Sequence, residues 1–189
     1  MRRHIMIIGG TGMLFDASVA LAEQCDTLTS VARSMESLGA LDRALAQARC
    51  DHHPLRLDWS NVTAFLGAIS RHVESIGHPS LVVAWLHQDS LGPRVATVLS
   101  HKETPCDFFH IRGSASVDPT SNTDSLIPPP GLSRSIHYHQ VILGFIAGRE
   151  GRGSRWLHDA EISDGVLAAI NRRRDIAVVG TVTPWTDRP

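Results

Sequence analysis

The stretch "IMIIGGTGMLFDAS", residues 5–18, decides the fold. An apolar run ends in Gly9 and Gly10, Gly12 follows after Thr11, and from Leu14 the chain reads as a helix with Ala17, Ala20, Leu21 and Ala22 available to pack. A strand leaving through glycines into a helix is built to hold a nucleotide diphosphate. Gly9 and Gly10 permit the sharp exit, Gly12 lets backbone approach the phosphates, and the helix offers unpaired amides and the positive end of its dipole. The usual third glycine, which lets helix pack closely on strand, is replaced by Phe15.

Outward from this turn the pattern alternates. Apolar or β-rich runs at residues 4–8, 27–32, 53–57, 80–86, 107–111, 136–145 and 176–182 are expected strands. Helical spacing is expected over 14–24, 35–49, from a Ser60 cap through Val62, Phe65, Leu66, Ile69 and Val73, and over 94–100 and 159–171. Strands alternating with helices imply right-handed βαβ units. The expectation is therefore an α/β, three-layer, doubly wound (Rossmann-like) sheet, mostly parallel, of about seven strands, forming one domain across residues 1–189. The rhythm fails only at residues 114–134, a polar loop carrying Pro128, Pro129 and Pro130, and again in the Gly/Arg-rich loop 147–154.

Composition narrows the partners. A formal net charge of -1, with 42% hydrophobic and 20% charged residues, fits a globular domain and offers no continuous basic face for nucleic acid. The one tight arginine cluster, Arg172 to Arg174, is expected to favour the carboxyl end of the helix it closes. No apolar stretch is long enough to span a bilayer, and "MRRH" leads directly into a strand, so a cytoplasmic protein without a membrane partner is expected. Cys25, Cys50 and Cys106 lie far apart in sequence and read as small buried hydrophobes in a reducing compartment. The paired histidines His52–His53 and His137/His139 lack partners at metal-ligand spacing, so no metal is expected.

The second strand decides the cofactor. Where a dehydrogenase preferring the form without a 2′-phosphate ends that strand in an acidic residue, this chain reads "SVARS". Arg33 can fork onto a 2′-phosphate and Ser34 can add a hydrogen bond, which favours NADP(H), NADPH in its reduced form, over NAD(H). The alternative is a solvated arginine opening a helix.

On these residues the chain resembles the short-chain dehydrogenase/reductase family. "GGTGML" is similar to the family's glycine turn, "VARS" to its NADP-type second strand, "LRLDW" to its third strand, and "VVAWLH" stands where its NNAG segment lies; "DAEISDGVLAAINRRRDIAVVGTVTPWTD" resembles its closing helix and strand. The resemblance implies that Gly9, Gly10, Thr11, Gly12, Met13 and Leu14 line the cofactor, with Asp58 by the adenine and Trp85 at the fourth strand's end. It also implies hydride transfer, and usually a dimer.

The family's YxxxK proton relay is absent. The sole tyrosine, Tyr138, is followed four residues later by Ile142, and the sole lysine is Lys102. Ser114 after the fifth strand, His87 after the fourth and His110 on the fifth are the candidate catalytic residues, each with a structural alternative as a hydrogen-bonded framework residue. Tyr138 and His139 face opposite sides of their strand. Trp85 and Trp156 can wall a nicotinamide or substrate pocket or pack in the core. The expected function is an NADP(H)-dependent oxidoreductase on a small carbonyl or imine. The alternatives are a silent NADP(H)-binding sensor or subunit, and a non-redox enzyme reusing the pocket.

Overall fold

The computed structural model describes residues 3–113, 129–148 and 153–189. Ser114, most of the proline-rich loop and the centre of the Gly/Arg-rich loop lie outside the described residues.

The chain runs β1 (His4–Ile8), α1 (Phe15–Ala22), β2 (Thr27–Ala32), α2 (Met35–Ala44), β3 (Asp51–Arg56), α3 (Val62–Ile76), β4 (Leu81–Trp85), α4 (Leu91–Leu99), β5 (Cys106–Gly113), β6 (Ile136–Leu143), β7 (Phe145–Ile146), β8 (Arg155–Trp156), α5 (Asp159–Arg172) and β9 (Ile176–Val179). Seven strands form one sheet in the order β3-β2-β1-β4-β5-β6-β9, and every pair in it is parallel. The doubly wound α/β fold read from the sequence is the fold observed.

The apolar runs explain the sheet. β1 and β2 are buried along their whole length, as a parallel strand covered on both faces must be. Successive side chains feed opposite faces. Ile5, Ile7, Val83 and Phe109 join the core shared with Leu21, Leu41 and Val166 of α1, α2 and α5; Met6, Ile8, Val82 and Phe108 join the core of Phe65, Ile69 and Val95 from α3 and α4. Pro54 is tolerated in β3 because that strand is the sheet's edge.

Several expectations shift. Asn61, not Ser60, caps α3, its side-chain oxygen accepting from the Ala64 amide at 3.1 Å. α4 begins at Leu91 rather than at 94, because Pro93 falls within the first turn, where its missing N–H has no helical partner to lose. The expected strand 136–145 divides at Gly144, and Phe145–Ile146 pairs antiparallel with Arg155–Trp156 as a separate ribbon. β9 ends at Val179, turned by Gly180 at φ 76°. Arg173, instead of only neutralising the helix end, adopts the left-handed conformation and reaches Asp107 Oδ2 at 3.3 Å.

Candidate functional site

Strand order reverses between β1 and β4, and the crevice beyond the carboxyl ends of these strands is where a doubly wound sheet takes its ligand. The glycine turn sits there. Gly9 has φ 79°, and a Cβ on it would meet the Trp85 carbonyl oxygen at 2.7 Å, so only glycine fits between β1 and β4. A Cβ on Gly10 would meet Ser18 Oγ at 2.5 Å. The Ser18 hydroxyl lies 2.8 Å from the Gly10 carbonyl and 2.9 Å from that of Leu14, fastening the turn to α1. Gly12 differs: it is exposed, and a Cβ there would find nothing within 4 Å. No side chain among the described residues caps α1; the Phe15 amide donates to the Gly12 carbonyl at 2.8 Å, leaving the amides that follow it in the first turn to meet an anion.

At one end of the crevice, Arg33 follows β2 with its guanidinium 4.8 Å above the Trp59 ring. Arg56 Nε donates to the Arg33 carbonyl at 3.2 Å, bringing a second guanidinium to the same edge. Ser34 accepts from the Ser37 amide at 3.3 Å as the cap of α2, so its own O–H remains for a ligand. Asp58 is exposed beside them; the Ser60 amide and hydroxyl, with a smaller contribution from Arg33, hold its carboxyl below the ordinary range. Exposed His87 lies between two indoles, 6.2 Å from Trp59 and 5.7 Å from Trp85.

At the other end, Met13, Gly113, Leu143, Gly144, Trp156, Leu157 and Ile162 line an apolar cavity of about 240 Å³. The Ser163 hydroxyl donates to the Met13 carbonyl at 3.0 Å and ties the turn to α5. Thr11 is half-buried and Leu14 fully buried, so Leu14 supports the turn from the core, half-buried Met13 packs against that core, and Gly12 faces outward.

His110 stands elsewhere. The β5–β6 register puts Phe108 opposite Tyr138, and the Tyr138 hydroxyl lies 2.7 Å from His110 Nδ1. The imidazole lies against Gly92 of α4, where a Cβ would be 2.6 Å from its Cε1. His110 is 3% exposed. Burial pushes its pKa down to about 4 and raises that of Tyr138, so the pair is neutral. A second cavity of about 230 Å³ includes this pair, Asp89, Arg112 and Gln140; Arg112 donates to Gln140 Oε1 at 2.7 Å and to Asp89 Oδ2 at 2.9 Å. Tyr138 and His139 do face opposite sides, His139 stacking on Phe109 with ring centroids 4.4 Å apart. The structure thus brings together Gly9, Gly10, Gly12, Met13, Arg33, Ser34, Asp58, Trp85 and His87 along one edge, and sets His110 under α4.

Trp59, Arg56 and the Leu143–Gly144 pair were not anticipated. Trp59 had a signal, since it follows Asp58 at the end of the third strand. Arg56 needed the pairing of β2 with β3, and Leu143–Gly144 the break between β6 and β7.

No protein-family model and no curated protein matches the chain. Solved structures do. The bulky-bulky ketone specific alcohol dehydrogenase from Comamonas testosteroni superposes with a TM-score of 0.72 at 13% identity, over 97% of this chain and 88% of that one. A short-chain dehydrogenase from Sphingobium yanoikuyae in complex with NADPH gives 0.65 at 15% identity, over 97% and 91%. A short-chain dehydrogenase/reductase from Burkholderia phymatum in complex with NAD gives 0.66 at 12% identity, over 94% and 89%. Strand order, glycine turn and these superpositions agree that the chain has the fold of the short-chain dehydrogenases and reductases.

Proposed function

We propose that the protein is a divergent short-chain-dehydrogenase-type oxidoreductase that binds NADP(H) along the carboxyl edge of β2, β1 and β4. The observation that carries this is the pairing of an open Gly12 and uncapped α1 with Arg33 on Trp59. The amides suit a diphosphate, and the indole under a guanidinium suits an adenosine 2′-phosphate, with Arg56 as a second cation and Ser34 as a donor. The NADPH and NAD complexes among the superposed structures support a nicotinamide cofactor; the two arginines favour the phosphorylated form.

The cofactor supplies the hydride, leaving the chain to orient a small carbonyl or imine and deliver a proton. The apolar cavity beside Met13 and Trp156 suits the nicotinamide ring and an uncharged, apolar substrate group. For the proton, His87 lies exposed on the cofactor edge, and Ser114 follows β5 in sequence; His110, locked to Tyr138, serves as framework. We take the protein to be a cytoplasmic homodimer. No helix among the described residues is long and apolar enough to cross a membrane.

The second reading, an NADP(H)-binding sensor without turnover, is favoured by one observation. The sole tyrosine is 8% exposed on β6 and committed to His110, so it offers no phenol to a substrate.

Melting with each of NADPH, NADP, NADH and NAD tests the binding. At about a hundredfold excess over Kd, NADPH should stabilise by about 2.7 kcal/mol, a rise of roughly 5–10 °C, with NADH giving little. Arg33→Ala should weaken NADPH binding by roughly 10–100-fold and leave NADH unchanged. Equal shifts with all four nucleotides would refute the role of Arg33, and no shift with any would remove both readings. NADPH consumption against a panel of ketones, aldehydes and imines then separates enzyme from sensor.

A further inference from the structure

Cys25 and Cys50 are distant in sequence but neighbours in the fold. β2 and β3 pair in parallel from Thr27 opposite Asp51, and the Asp51 amide donates to the Asp26 carbonyl at 2.8 Å, so the chain enters the two strands side by side. One thiol precedes each strand. Both pack, partly buried, on the same α1/α2 hydrophobic cluster, each thiol close enough to act on the other, and the Cys25 thiol donates to the Ala22 carbonyl at 3.7 Å. Each is half-buried, whereas Cys106 is 0% exposed in β5.

We propose that Cys25 and Cys50 form an oxidisable dithiol that closes an intramolecular disulfide when the protein meets hydrogen peroxide. The Cys50 thiol reduces the O–O bond, taking up one oxygen as a sulfenic acid and releasing one water. The Cys25 sulfur then attacks the Cys50 sulfur, forming the S–S bond and expelling a second water, which carries off the remaining thiol proton. Two thiols are oxidised by two electrons and one peroxide is reduced by two.

Cys50 is the entry point because the Cys25 thiol is the more firmly held: it donates to the Ala22 carbonyl at 3.7 Å, and although burial raises both thiols, it raises Cys25 further, to about 12. The surroundings are mixed in charge: Arg3, Glu23, Asp26 and Asp51 all act on the pair. The bridge would close around β2 and α2, the unit that carries Arg33 and Ser34, but at the opposite end of β2.

The test uses the whole reduced protein, exposed to hydrogen peroxide, alkylated under denaturing conditions and digested with trypsin. The expected product links the peptide 4–33 to the peptide 50–56, with the intact mass lower by two hydrogens and Cys106 alkylated. The melting temperature should rise by roughly 5–10 °C, reversibly with dithiothreitol, because the closed loop constrains the unfolded chain. Cys50→Ser should abolish the linked peptide and the rise together. Recovery of Cys25 and Cys50 as separately alkylated or separately oxidised residues would overturn the proposal, as would a bridge between two chains or a lower melting temperature after oxidation. The wild-type peptide map decides the matter even if the variant folds poorly.

Discussion

Gly9→Ala is expected to lower the melting temperature by roughly 10 °C, whereas Gly12→Ala leaves it within about 2 °C and weakens NADPH at least tenfold. The two glycines lie in one turn and do different work. Gly9 holds φ 79°, which costs a side-chain-bearing residue about 1 kcal/mol or more, and its new methyl would press on the Trp85 carbonyl at 2.7 Å. A backbone oxygen in β4 moves only by disturbing the strand pairing that fixes Ile8 opposite Ala84. Adding about 2 kcal/mol for this overpacking brings the loss to about 3 kcal/mol, at roughly 2–4 °C per kcal/mol in a chain of this size. At Gly12 the same methyl meets no protein atom within 4 Å, so stability should change by about 0.5 kcal/mol at most. Any loss there is a loss of ligand, because the methyl stands where a diphosphate would approach the backbone. Urea or thermal unfolding of both variants, followed by titration with NADPH, separates the effects. Full-strength NADPH binding by Gly12→Ala would place the diphosphate elsewhere, and an undiminished melting temperature for Gly9→Ala would contradict the close approach of β1 to β4.

How much of this was legible in the sequence follows from the range of the forces involved. The runs "HIMII" and "LVVAW" declare buried parallel strands because a strand covered on both faces has no polar positions to show. The apolar stripe Phe65–Ile69–Val73 declared α3 for the same local reason. Local signals misled where one residue type has two meanings. The helix expected over 94–100 begins earlier, at Leu91, with Pro93 inside its first turn. The glycine turn, Arg33, Asp58 and His87 could be placed on one edge, since each follows a strand that the sequence itself marks. Contacts set by register could not. The Tyr138–His110 bond depends on β5 and β6 pairing with Phe108 opposite Tyr138, across 28 residues of sequence separation. The meeting of Cys25 with Cys50 depends on β2 pairing with β3 from Thr27, and nothing in the spacing of the cysteines announces it.

The protein should lose roughly 4 kcal/mol of stability between pH 7 and pH 5, well before its carboxylates begin to protonate. Two buried histidines at separate places in the fold drive the loss. At the start of β1, His4 Nδ1 donates to the Gly77 carbonyl at 2.8 Å and its Nε2 accepts from the Thr29 hydroxyl at 2.9 Å; Thr29 Oγ1 in turn accepts from His72 Nε2 at 2.8 Å. The chain of bonds needs His4 neutral, because a proton on its Nε2 would leave Thr29 facing two donors. Burial pushes the pKa of His4 down to about 4, and His72 and His53 add to the effect. Burial likewise sets His110 at about 4, with Arg112 working in the same direction against Asp89. An unfolded histidine titrates near 6.5, so between pH 6.5 and 4 the unfolded chain binds more protons than the native one, and stability falls as pH falls. Above about 6.5 the two contributions are complete, and below about 4 they are spent. With these values each histidine loses about 2 kcal/mol between pH 7 and 5, equivalent for the pair to a fall of roughly 10 °C in melting temperature. Asp58 and Glu161, whose carboxyls are held below their ordinary range, act only at lower pH and leave this window to the histidines. Urea midpoints at pH 7.5, 6.5, 5.5 and 5 measure the slope, and His4→Gln should roughly halve it while His110 continues to titrate. A midpoint constant from pH 7.5 to 5, with the protein folded throughout, would mean that both rings accept a proton in the native state and that neither is sealed in the core as described.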